Sequence, residues 1–214
     1  MAATLSRPVT TETEDTGRLG LPPPPPARRP NTLMVGTWLA IAAGIMLFAG
    51  LLGVYEALRD RAGDEGAPWV PEGVSLPNVA LAVTYATLLM SSVTAQWSVA
   101  AIRMGDRRQM YLAVGTTVLL GAAFVNGLTF CWSQLGLGAG ESDFADTVYA
   151  LTVTHLLVVV AALVFFAVMG FRALGGQFSP RNSEFVRAAA AFWHFAVAAG
   201  ASIWIVVWFL EGGP

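Results

Sequence analysis

Five long apolar runs separated by short polar stretches make up most of the 214 residues. They extend over Leu33–Leu58, Asn78–Ile102, Met110–Gln134, Thr147–Phe171 and Val186–Leu210. Each reaches the roughly 20 apolar residues that an α-helix needs to cross a hydrocarbon core about 30 Å thick. The pattern predicts an all-α polytopic membrane protein with five transmembrane helices. Only three or four short loops lie between the runs, which leaves no room for a separate soluble catalytic domain. Gly36, Ala40 and Gly44 recur every four residues in the first run, and Ala196 and Gly200 do so in the last. Small residues at this spacing predict close approach of helix backbones. Tyr55, Trp69, Trp132, Trp204 and Trp208 fall near run ends, where an aromatic interface belt is expected.

Residues 1–30 are of another kind. They lack an apolar core segment and carry Glu12, Glu14 and Asp15, so they do not read as a cleaved signal peptide. Pro22 to Pro26 favour a stiff, extended polyproline II segment. The expected division is a disordered Pro-rich cytoplasmic tail over 1–30 and a five-helix transmembrane domain over 31–214. A sharper alternative makes the tail a strap along a neighbouring subunit.

Composition agrees with the pattern: 55% of residues are hydrophobic, 12% are charged, and mean hydropathy is +0.60. Such a chain is far from a soluble globular domain. The charges are distributed by side. There is no lysine, and Arg7, Arg18, Arg28, Arg29, Arg103, Arg107, Arg108, Arg172, Arg181 and Arg187 all fall on one side of a five-span arrangement. The other side holds Arg59 and Arg61 but also Glu56, Asp60, Asp64, Glu65, Glu72, Glu141, Asp143, Asp146 and Glu211. The positive-inside rule then predicts a cytoplasmic N-terminus and an external C-terminus. Arginines spread over three segments suit topology and lipid headgroups rather than nucleic acid.

Candidate chemistry is sparse. Cys131 is the only cysteine, which excludes an internal disulfide and predicts an inert buried thiol. There is no Gly-rich phosphate loop, no Ser/His/Asp set and no clustered carboxylates. What remains is a small set of polar positions at membrane depth: His155, His194, Trp193, Gln96 and Asn126. Polar rings in hydrocarbon are costly and should face protein rather than lipid. Haem ligation by the two histidines from both sides is disfavoured by depth. His155 lies about eight residues from one end of its run and His194 about eight from the opposite end of the next, an offset of roughly 6 Å or more. The competing readings are neutral rings bonded across helices, or contacts to a lipid headgroup or partner subunit.

The second half of the chain carries a resemblance. Thr154-His155-Leu156-Leu157 is followed by Phe171-Arg172, then Gln177-Phe178-Ser179-Pro180, then Phe192-Trp193-His194-Phe195 opening the last run. Upstream stand Met46-Leu47-Phe48-Ala49-Gly50-Leu51, Ser91-Ser92-Val93-Thr94 and the Gly105-Asp106 turn. In this order over about residues 31–210, the set resembles subunit III of the haem-copper oxidases (cytochrome c oxidase subunit 3) in its short five-helix bacterial form. Several buried polar positions of the family are apolar here: Gly44, Cys131 and Val197 stand where it has carboxylates, and Val158 where it has a second histidine.

The resemblance implies a non-catalytic subunit of a respiratory terminal oxidase in the bacterial cell membrane. Such a subunit binds no cofactor or metal itself and has no catalytic residue; haem and copper belong to the partner, oxidase subunit I. It implies contacts with subunit I, other oxidase subunits and bound phospholipid. His155, His194, Trp193, Gln96 and Asn126 are then candidate lipid or subunit-interface positions. Alternatives are an accessory subunit of the same fold in a nitric oxide reductase or respiratory supercomplex, a small transporter, and a haem-binding membrane anchor.

Overall fold

The structure, a computed structural model, describes residues 31–74, 76–180 and 182–209. Residues 1–30, and with them the tail and its proline run, lie outside the described residues, as does Leu210. Five helices follow one another: α1 Thr32–Asp64, α2 Asn78–Met104, α3 Arg107–Leu135, α4 Asp143–Leu174 and α5 Glu184–Ile203. A π-helical turn, Trp204–Phe209, continues α5. All five are long and apolar enough to cross a membrane. The chain is therefore a multi-pass, all-α membrane protein.

The helices overrun the predicted spans where local signals allow. α3 starts at Arg107 because Asp106 caps it, accepting from the Gln109 N–H at 3.0 Å. α4 starts four residues before Thr147, at Asp143, where Ser142 accepts from the Ala145 N–H at 3.1 Å. Asp143 and Asp146 occupy that first turn, where negative charge suits the helix dipole. Gly105, at φ 75°, ends α2 in a left-handed conformation, which lets α3 begin within two residues.

α2 and α3 form the most extensive pair, and α5 packs against α1, α2 and α4. α1 is the least embedded: only Thr37, Ile41, Phe48 and Tyr55 are buried along its length. Its seam on α5 is set by Gly44, where an added Cβ would stand 2.3 Å from Phe195 Cζ. At the chain-entry end, the Glu184 carboxylate accepts from the Met34 N–H at 3.1 Å and joins the two helix starts. At the opposite end the α1–α2 loop folds back. Trp69 donates to the Tyr55 hydroxyl at 3.0 Å and stands edge-on to Phe144.

Two sequence expectations need correction. The Gly36–Ala40–Gly44 stripe is not a continuous seam: Gly36 and Ala40 are exposed, nothing lies within 4 Å of a Cβ at Gly36, and only Gly44 is packed. Helix spacing put the three on one face, but α5 crosses that face at Gly44 alone. The aromatic belt is also partly wrong, since Tyr55 and Trp208 are 0% and 2% exposed. Their rings turn inward to fill the bundle rather than outward to the membrane surface.

Close packing makes the glycines unequal. At Gly200 a Cβ would meet His155 Cε1 at 2.7 Å and Leu88 Cδ2 at 2.9 Å, and both neighbours are buried. Gly200→Ala should therefore destabilise the bundle by about 1–3 kcal/mol through overpacking. Gly36→Ala should be neutral or mildly stabilising, since it gains helix propensity and touches nothing. Unfolding of the purified variants in mixed micelles measures both, and equal losses would contradict the packing described.

Candidate functional site

Trp193, His194 and His155 lie where α5 meets α2 and α4. The α5 run Ala188–Ala190 is small and buried, which brings the helix close to its neighbours and aims Trp193 inward. Trp193 is fully buried against Phe166, and its ring tip lies where a Cβ on Gly121 would be, at 2.6 Å. Its indole N–H donates to Ser91 Oγ at 2.9 Å, and that hydroxyl donates to the Leu88 carbonyl at 2.5 Å.

His194, the next residue, meets the next serine. Its Nδ1 lies 2.7 Å from Ser92 Oγ and its Nε2 lies 3.2 Å from Gln96 Oε1. An amide oxygen only accepts, so Nε2 carries a proton and Nδ1 is left to accept from the serine in the neutral ring. The ring is half-buried and borders an apolar groove of about 600 Å³ between α1 and α5. Trp38, Ile45 and Ala198 line the rest of that groove. A second apolar groove, about 660 Å³, lies between α1 and α4 over Gly36, Ala40 and Val164.

His155 occupies a different environment. It is completely buried on α4, ringed by Phe48, Tyr85 and Phe124 at centroid distances of 6.1, 6.4 and 5.5 Å. Its Nε2 is 2.9 Å from the Ala196 carbonyl, which fixes the donor nitrogen, while Nδ1 has no partner. The ring lies beside Ala196 and Gly200, two to six residues beyond His194 along α5. That is an offset of about 3–9 Å at about 1.5 Å per residue. The two histidines thus engage separate partners at separate heights. Among the described residues no three His, Cys, Asp or Glu side chains gather as a metal-binding group.

The remaining predicted positions divide. Gln96 is exposed on α2 but joins the His194 bond, and Asn126 is exposed on α3, away from the α2–α5 contact. Cys131 is 1% exposed, 4.0 Å from Thr84 Oγ1. Sequence reading missed the receiving side: Ser91 and Ser92, the Thr94–Thr117 hydroxyl pair at 2.8 Å, and Thr152, which accepts from Trp132 at 3.1 Å. One signal was available. The adjacent donors Trp193-His194 are matched by the adjacent hydroxyls Ser91-Ser92 on another span.

The positions where the resemblance implies buried polar groups are surrounded by apolar atoms. Phe195 fills the space above Gly44, Val197 is 5% exposed, and Val158 is half-buried against the core. The arrangement can tie helices together; it holds no buried acid to move a proton among the described residues.

The family model described as cytochrome c oxidase subunit III matches residues 28–211. "Cytochrome c oxidase subunit 3" of Corynebacterium diphtheriae is 29% identical over 187 residues, covering 86% of this chain and 90% of that protein. "Probable cytochrome c oxidase subunit 3" of Nocardia farcinica is 30% identical over 191 residues, with the same coverage of 86% and 90%. "Cytochrome c oxidase subunit 3" of Bacillus sp. PS3 is 29% identical over 179 residues, covering 82% of this chain and 84% of that protein. The match runs through all five helices and through the bonded Trp193-His194 pair, and the chain belongs to the cytochrome c oxidase subunit III family.

Proposed function

We propose that this chain is the non-catalytic subunit III of a bacterial respiratory haem-copper oxidase, in the plasma membrane with its N-terminus cytoplasmic. Its work is to steady the subunit that reduces oxygen to water and translocates protons, and to hold phospholipid against that subunit. The observation that carries this reading is how the bundle's polar atoms are used. Trp193 and His194 are bonded to Ser91, Ser92 and Gln96, and His155 to the Ala196 carbonyl. These groups are committed to fixing helices rather than to a reaction.

Lipid holding is supported by the two grooves beside α1, whose walls are almost wholly hydrocarbon. An acyl chain satisfies such walls; the polar residues that line them are His194 and Ser202 in one groove and Thr32 and Thr37 in the other. The cytoplasmic N-terminus is supported by Arg103, Arg107, Arg108, Arg172 and Arg187 at the chain-entry end, against only Arg59 and Arg61 at the other, where Glu56, Asp60, Asp64, Glu65, Glu72, Glu141, Asp143 and Asp146 collect.

Two outcomes are expected. Tagged and extracted in mild detergent, the chain should co-purify with a haem-copper catalytic subunit, whereas the chain expressed alone should lack a haem absorbance band. A haem band from the isolated chain, or recovery with unrelated partners only, would sink the assignment. Separately, Trp193→Phe should cost about 2–4 kcal/mol of bundle stability, the interhelical hydrogen bond together with the cavity left beside Gly121. Adding Ser91→Ala should then cost little more, because the two residues share that bond. Additive losses in a denaturant titration would show that the bond does not hold α5 to α2.

A further inference from the structure

α3 presents one line of residues to the outside of the bundle, and its composition differs from the outward face of α4. Leu112, Gly115, Leu119, Ala122, Asn126, Thr129 and Ser133 are all exposed. Their spacing alternates three and four residues, the repeat by which one helix seats along another. Leu112, Leu119, Asn126 and Ser133 form one row, and the small residues Gly115, Ala122 and Thr129 form the other. Nothing lies within 4 Å of a Cβ at Gly115. The outward line of α4, by contrast, is Val153, Leu157, Val160, Val164, Val168 and Phe171, all large and apolar.

Asn126 decides between lipid and protein as the neighbour. Thr129 donates to the Val125 and Asn126 carbonyls, and Ser133 donates to the Phe130 carbonyl, so both hydroxyls are satisfied within α3. The Asn126 carboxamide has no hydrogen-bond partner among the described residues. It stands five residues beyond the midpoint of α3, about 8 Å along the axis at about 1.5 Å per residue, well inside a hydrocarbon core about 30 Å thick. Acyl chains offer no hydrogen bond, and an unpaired amide there is unfavourable. A packed helix supplies both the missing bond and the atoms that close over Gly115 and Ala122. One asparagine in such a row also fixes the register of the pair.

We propose that this α3 face is a docking surface for a transmembrane helix of another oxidase subunit, one presenting a hydrogen-bonding side chain to Asn126. The proposal rests on the reading of the chain as a subunit of an oxidase complex. Family membership implies at least one contact with a different subunit, and this face has the unmet hydrogen-bonding demand.

The test uses the assembled complex in its native membrane. A photo-crosslinking side chain is placed at Ala122 or Thr129 on α3, and for comparison at Val164 on α4 and Met90 on α2. Crosslinking from Ala122 and Thr129 to a different membrane subunit, with lipid adducts from Val164 and Met90, is the expected result. Asn126→Leu should lower recovery of the chain with the complex roughly three- to thirtyfold, and Asn126→Gln should restore most of it. Isolated Asn126→Leu should keep its helical circular dichroism, since the residue faces outward. Subunit crosslinks from Val164 or Met90 and only lipid adducts from α3 would overturn the proposal while leaving the subunit reading intact. A crosslink between two copies of this chain through α3 would overturn it too. Failure of the unmodified chain to co-purify with any oxidase subunit would overturn both.

Discussion

Trp193 and His194 reach from α5 to two adjacent hydroxyls on α2, and the geometry of the bundle follows from that pairing. Inside a membrane there is no water to complete a hydrogen bond, so a polar side chain fixes the helix that supplies its partner. With the indole held by Ser91 and the imidazole by Ser92 and Gln96, neither translation nor rotation of α5 is free. The same clamp sets the height at which His155 of α4 meets the Ala196 carbonyl, and hence where Gly200 must be glycine. α1 is then seated on a surface already defined, through Phe195 above Gly44 and Phe48 beside His155.

The five spans were legible because hydrocarbon imposes a length and an apolar composition on any helix that crosses it. His155, His194 and Trp193, polar positions within the apolar runs, are bonded across helices inside the chain. What the pattern could not disclose was direction. Tyr55 and Trp208 sit near span ends, as interface aromatics do, yet their rings face the interior. Gly36 and Gly44 share a stripe, yet only one meets another helix. Every face of a membrane helix is apolar, so periodicity separates inside from outside far less sharply than in a soluble bundle. Ser91 and Ser92 went unassigned because small hydroxyls satisfy their own helix in most settings and carry little signal alone.

The positions where the resemblance implies carboxylates have a definite packing in this chain. A carboxylate at position 44 could not coexist with the Phe195 ring in its present place, since even a methyl group there would overlap it. Gly44 and Phe195 form one solution, while Val197 on α5 and Cys131 on α3 are each buried. An apolar interior at these positions carries no desolvation cost of a buried charge. In this member of the family the interior is organised for packing and neutral hydrogen bonds.

The seating of α1 has a consequence for how the chain is made. Its principal partners lie about 150 residues later, as in the bond from the Met34 N–H to Glu184. During synthesis α1 enters the membrane before α5, and its seam at Gly44 stays open until α5 has been inserted. For that interval its surroundings must be lipid, the insertion machinery or a waiting subunit. Of the five helices α5 is thus the one that completes the seat of α1, and a ribosome that stops before Glu184 leaves the first helix with only α4 and the α1–α2 loop to pack against.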